Sequence, residues 1–106
     1  MFPSRIQLSK KSWDKLQYLQ TKTKTTPNVI ARIAIMLALR DTRTIAINEN
    51  KPKESHSINR DVLFGENEAI FLALMEQFIH EQKVDVDIQD LIRSLIDSGI
   101  HKLGHI

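Results

Sequence analysis

The sequence lacks cysteine altogether and has little glycine or proline, with three residues of each among 106. Without cysteine the chain has no disulfide framework, no thiolate metal site and no cysteine nucleophile. The glycines Gly65, Gly99 and Gly104 are too far apart to form a phosphate-binding loop, and the pattern GxxxxGK does not occur. We therefore expect neither a catalytic centre nor a bound cofactor.

Long apolar runs are also missing. No segment approaches the roughly 20 apolar residues that span a bilayer, and the N-terminal "MFPSRIQLS" lacks the basic-then-apolar pattern of a secretion signal. The length and the ordinary composition, 42% hydrophobic and 26% charged, predict one cytoplasmic domain over residues 1–106.

Candidate metal ligands are few. His101 and His105 are four residues apart, but no third ligand accompanies them. Asp85, Asp87 and Asp90 cluster around the start of a predicted helix, where capping and the helix dipole account for them without a cation. We expect no metal site.

Charge is distributed unevenly along the chain. Residues 1–60 contain twelve Lys and Arg against four Asp and Glu, whereas residues 61–106 contain three against nine. Such asymmetry suggests a polyanion-binding front half. Equally, the two halves could attract each other, within one protomer or between protomers.

The front half opens with "RIQLS", whose alternation predicts a short strand with Ile6 and Leu8 on its buried side. Ser9 can cap a following helix, "KKSWDKLQYLQTKT". Trp13, Leu16, Leu19 and Thr23 fall on one side of that helix, and a second side carries an aligned basic stripe of Lys11, Lys15, Tyr18 and Lys22.

A second helix is predicted after Thr26, a possible cap, with Pro27 at its first position. From Val29 to Leu39 every residue except Arg32 is apolar. A helix that is apolar all round must be buried, and one small domain has too few atoms to cover it. We therefore expect another subunit to cover part of it, and Arg32 to need an anionic partner, either a carboxylate or a phosphate.

The polar segment from Thr42 to Asp61 is predicted to be a connection, with a brief extended stretch at Thr44–Ile47. Two further helices follow. The apolar face of the first is predicted to hold Ile70, Phe71, Leu74, Met75 and Phe78. The second is capped by Asp87 and carries Ile88, Leu91, Ile92, Leu95, Ile96 and Leu103 in helical spacing. Gly99 lies in line with that last face, where it either ends the helix or admits a neighbouring backbone.

The basic stretch is the main functional signal. Its side chains could neutralise backbone phosphates, and its tyrosine could contact phosphate or stack on a base. The alternative is a solvated face in a purely structural subunit. Lysine favours backbone over base recognition. The candidate DNA-binding residues are Lys10, Lys11, Lys15, Lys22, Lys24, Arg5 and Tyr18.

"RIQLS" followed by two helices resembles the ribbon-helix-helix arrangement over about the first 40 residues. Proteins of that kind pair their strands across a dimer and bury the second helix between subunits. The resemblance implies, as an alternative function, a transcription regulator or antitoxin in which Arg5, Gln7 and Ser9 would contact bases.

A broader resemblance, to the DndE family of DNA sulfur-modification proteins, covers nearly the whole chain. It rests on "SRIQLSKKSWDKLQYLQTKTKTTPNVIARIAIMLAL" and the glutamate-flanked "GENEAIFLALM". The strand and helices predicted above make a mainly α fold of about four helices with a short N-terminal strand. The resemblance implies a homotetramer that binds duplex DNA, preferring nicked DNA. The resemblance also implies that the protein works beside the larger proteins of DNA phosphorothioation, which supply desulfurase, iron–sulfur and ATPase chemistry. The family's DNA-contacting lysines correspond to Lys10, Lys11, Lys15, Lys22 and Lys24.

Overall fold

The computed structural model describes residues 3–40, 55–83 and 85–103. Its elements are two short strands and five α-helices, with one turn of 3-10 helix. They run in the order β1 (Arg5–Ser9), α1 (Lys10–Thr23), α2 (Pro27–Arg40), β2 (Ser55–Asn59), α3 (Arg60–Phe64), a 3-10 turn (Gly65–Asn67), α4 (Glu68–Gln82) and α5 (Ile88–Leu103). The prediction of a mainly helical fold with an N-terminal strand is confirmed.

The strands form a two-stranded antiparallel ribbon in which Arg5 faces Asn59 and Ser9 faces Ser55. Ile6 and Leu8 are fully buried, which confirms the predicted alternation. The predicted connection was wrong over its last part, because it contains β2 and the start of α3. The extended stretch expected at Thr44–Ile47 lies outside the described residues.

Ser9 ends β1 and begins α1, because its hydroxyl accepts a hydrogen bond from the Ser12 amide at 3.2 Å. The predicted cap is therefore confirmed. Leu16 is fully buried, and Trp13 and Leu19 pack against the edge of the core. Thr23, which the spacing places on the same side of α1, is exposed in the last turn of the helix.

The helices α2 and α5 pack closely against each other. A methyl group on Gly99 would lie 2.5 Å from the Cα of Ala34, and closer still to the carbonyl group of that residue. Ala34 is itself fully buried. Gly99 therefore lies inside α5, where it lets the α2 backbone approach, so the prediction of close packing is confirmed.

The chain covers more of α2 than its apolar sequence suggested. Five of its residues are buried by other elements of the same chain: Ile30, Ala31, Ala34, Ile35 and Ala38. On the opposite side Ile33 and Met36 are 44% and 42% exposed. We expected that the domain could hardly enclose this helix. That expectation is corrected, because the domain encloses one face of α2 and leaves the opposite face open.

The later helices follow their predicted pattern. Asp87 caps α5 by accepting the Gln89 amide at 2.7 Å, and Phe71, Met75 and Phe78 of α4 are buried. Ile70 was wrongly assigned to the buried face, since it is 60% exposed. Over residues 3–40, 55–83 and 85–103, every helix is too short or too polar to cross a membrane.

Candidate nucleic-acid interface

The basic stripe lies on the outer side of α1. Lys11, Lys15 and Lys22 are all exposed, because the buried side of the helix points the other way, through Ser12 and Leu16. Tyr18 is 63% exposed, and the Lys22 Nζ atom lies 5.8 Å from the centre of its ring. The tyrosine and the lysines therefore share one continuous polar and aromatic surface.

The remaining candidates lie around this stripe rather than on it. Lys10, at the first turn of α1, is exposed on a neighbouring side. Lys24 follows the helix in a left-handed conformation with φ of 57°, its amide donating to the Gln20 carbonyl at 2.8 Å. Arg5 lies on the ribbon, where its Nη1 donates to the Ser57 hydroxyl at 3.4 Å. The structure therefore brings the central lysines together and places Arg5 on a separate element.

A pocket of about 160 Å³ lies beside the stripe, between α1 and α5. Its lining comprises Lys11, Ser12, Lys15, Asp97, Ile100 and His101. The Ser12 hydroxyl donates a hydrogen bond to the Asp97 carboxylate. Burial raises the pKa of Asp97 above its usual 3.8, although the Ser12 hydrogen bond and the charges of Arg93 and Lys11 oppose that rise.

Asp97 and His101 were not among the predicted site residues, and no sequence pattern connected them with the lysines of α1. The two residues are four apart on α5, on one side of that helix. Ser12, which joins the elements, looked like an ordinary polar residue in a basic helix. Only its place between Leu16 and Leu19 on the inward side of α1 could have indicated a buried hydroxyl that needs a partner.

Arg32 lies in a second pocket, on the open face of α2. The pocket measures about 410 Å³, and its walls include Ile33, Met36, Arg40 and Phe71. Within the described part of the chain, the buried Nε atom of Arg32 has no hydrogen-bond partner. We expected Arg32 to need an anionic partner, and the described residues do not supply one.

Two of the three aspartates that could have held a cation are engaged in local structure. Asp87 is a helix cap, and Asp90 accepts a hydrogen bond from Nη2 of the buried Arg93 at 2.8 Å. Within residues 3–40, 55–83 and 85–103 no three His, Asp or Glu side chains are grouped as a metal site requires.

The ribbon differs from that of ribbon-helix-helix proteins, in which strands pair across a dimer. Here β1 pairs with β2 of the same chain. The Ser9 hydroxyl is used as a helix cap, and the Gln7 carbonyl accepts the Gln89 side-chain amide at 3.0 Å. The regulator hypothesis places β1 in a strand pair shared by two subunits. The pairing of β1 with β2 of the same chain does not provide that arrangement.

Comparison with known proteins gave one family match and two structural matches. The family model of DNA sulphur modification protein DndE matches residues 5–105. A crystal structure of DndE from Escherichia coli B7A, involved in DNA phosphorothioation modification, has a TM-score of 0.81 at 20% identity, covering 97% of this chain and 98% of that one. A double glycine-to-lysine mutant of DndE, involved in DNA phosphorothioation, has a TM-score of 0.73 at 18% identity, covering 99% and 100%. Among curated proteins no match was found.

Together the fold and the exposed lysines define a small, mainly helical protein built around an intrachain ribbon and a basic first helix. The two crystal structures share that fold along almost their whole length. Since the family model spans nearly the entire sequence, this chain belongs to the DndE family of DNA sulphur modification proteins.

Proposed function

We propose that this chain is a non-catalytic DNA-binding subunit of DNA phosphorothioation, which holds duplex DNA, preferentially nicked, through the basic stripe of α1. The observation that carries the proposal is the exposure of Lys11, Lys15 and Lys22 along one side of a single helix, with Tyr18 among them. Such a row of point charges suits the phosphate backbone and carries little base information.

The proposed lack of catalysis is supported by the composition. Sulfur transfer through a persulfide, or an iron–sulfur cluster held by thiolates, requires cysteine, and this sequence has none. We therefore assign the desulfurase and iron–sulfur steps to other proteins of the pathway, beside which this subunit works. We assign the ATPase step to them as well, because this sequence has no GxxxxGK phosphate-binding loop.

The proposed functional unit is a homotetramer in which the open face of α2 is covered by another subunit. Ile33 and Met36 expose apolar surface there, and Arg32 has an unsatisfied Nε atom in the same pocket, as far as the described residues reach. A second protomer would remove the apolar surface from water and bring a carboxylate to the guanidinium. Light scattering tests this state directly, and a mass of about 12 kDa, that of one chain, would contradict it.

The DNA-binding proposal is tested by measuring affinity for a random-sequence duplex across a salt series. Each neutralised phosphate contributes about 0.9 to the logarithmic salt dependence. Replacing Lys11, Lys15 and Lys22 together by alanine should reduce that slope by about 2 to 3 per engaged protomer and weaken binding to all sequences alike.

The matched control is the same triple replacement by arginine, which keeps the three charges and should keep the slope. The comparison of nicked with intact duplex of identical sequence tests the nick preference separately. If the alanine variant folds, keeps its oligomer mass and keeps the parent slope, the lysines are only a solvated face. If the parent itself does not bind at modest salt, the chain is a structural subunit.

A further inference from the structure

The pocket between α1 and α5 is a place where the basic stripe continues onto a second element. Lys11 and Lys15 contribute from α1, and His101 contributes from the last turn of α5. Two lysines of α1 and one imidazole of α5 thus line one opening, which a stripe on α1 alone would not produce.

The size and polarity of the pocket suit a phosphate group. Its volume of about 160 Å³ is well above the ~10–15 Å³ that a cavity needs to hold one water molecule, so there is room for a phosphate group. The lysine and imidazole groups are donors that a phosphate oxygen can accept from.

Asp97 is the acidic group in the lining of this pocket. Its carboxylate is only partly exposed, accepts the Ser12 hydroxyl and lies within electrostatic range of Lys11 and of the buried Arg93. An ionised carboxylate there repels an entering phosphate and partly neutralises the lysines. Loss of that charge would make the pocket more attractive to an anion.

We propose that this pocket is a phosphate subsite of the DNA-binding surface, in which Lys11, Lys15 and His101 bind one phosphate group and Asp97 restrains that binding. The inference rests on the proposed function, because the phosphate belongs to the DNA that the α1 stripe holds. It extends that surface from α1 to α5.

The test compares Asp97→Asn with the matched control Asp85→Asn, which makes the same change in net charge at an exposed position outside the pocket. The amide oxygen of the Asp97→Asn side chain would still accept the Ser12 hydroxyl. We expect Asp97→Asn to tighten duplex binding about two- to fivefold at low salt, the range that one partly screened charge pair supports, and Asp85→Asn to change it by less.

His101→Ala is compared with His80→Ala, which removes an exposed histidine from α4. The imidazole of His101 can donate a hydrogen bond to a phosphate oxygen, so His101→Ala should weaken duplex binding by about two- to tenfold, the range that one hydrogen bond supports. His80→Ala should change the affinity by less. Equal affinities for these two variants would overturn the role of His101.

A titration with inorganic phosphate, followed by amide NMR shifts, separates this inference from the proposed function. Saturable shifts at Lys11, Ser12 and His101 support the subsite even if the protein binds no DNA, in which case only the proposed function fails. DNA binding that depends on the α1 lysines supports the proposed function. If, in addition, Asp97→Asn and Asp85→Asn bind DNA with equal affinity and inorganic phosphate shifts no amide resonance in the pocket, the subsite is refuted and the proposed function stands.

Discussion

Replacement of Gly99 by alanine should destabilise the fold, although alanine is the better helix former. The added methyl group would meet the α2 backbone at Ala34, with 2.5 Å to its Cα and less to its carbonyl group. Carbon atoms in contact are normally about 3.5–4.0 Å apart. The two helices would therefore have to separate by about 1 Å or more.

The expected cost can be set from this geometry. Overpacking of a core costs typically about 1–3 kcal/mol, and the upper end applies because main-chain atoms of a packed helix cannot rotate away. The gain in helix propensity offsets about 1 kcal/mol. The net loss of about 2 kcal/mol corresponds to a fall in Tm of about 8–16 °C for a domain near 100 residues.

Thermal unfolding followed by circular dichroism measures this fall, with Ser98→Ala as the control in the same helix. Because the obstacle is backbone, adding Ala34→Gly should not rescue Gly99→Ala. It should lower Tm further, since glycine costs about 1 kcal/mol inside a helix. A Gly99→Ala variant within about 3 °C of the parent, or rescue by Ala34→Gly, would refute the close approach of the two helices.

Three other predictions concern separate parts of the fold. Ser9→Ala removes the cap of α1 and should lower the free energy of unfolding by about 1 kcal/mol, measured by urea denaturation; no change would show that the cap is dispensable. Charged substitutions at both Ile33 and Met36 should shift the light-scattering mass toward the monomer while the helical content persists, and an unchanged mass would locate the interface elsewhere. For Asp97, the raised pKa means that the folded state holds its proton more tightly than the unfolded state. That proton adds stability in full below the usual value of 3.8, and the stability is lost as the pH rises through the folded pKa. Asp97→Asn should therefore be more stable than the parent at neutral pH, with the difference vanishing once the pH falls below that usual value; a gain that persisted in acid would contradict this sign.

The elements that were predictable from the sequence are those whose own residues carry the signal. The alternation of "RIQLS" indicated β1, and the serine at its end indicated the start of α1. The apolar spacing of α5 and its aspartate cap were equally readable. In each case the residues that the local pattern marks as apolar are the ones that pack against the core, so the local sequence was enough to predict the element.

The missed elements depend on distant partners. β2 is "SHSIN", in which only Ile58 is apolar, and it becomes a strand because β1 pairs with it. The pocket between α1 and α5 joins Ser12 to Asp97, which lie 85 positions apart. Ile70 fits a helical apolar face, but no described element covers it. The spacing of residues within one segment carries no information about its contacts with segments that are distant in sequence.

The pairing of β1 with β2 and the packing of α5 also govern the order in which the chain can fold. Arg5 meets Asn59, and α5 packs against β1, α1 and α2. Contacts this distant in sequence form late and slow the search for the native state. The first two helices therefore leave the ribosome without their ribbon partner and without the helix that closes the core. Their apolar surfaces stay open to chaperones, proteases and premature self-association until α5 has been synthesised.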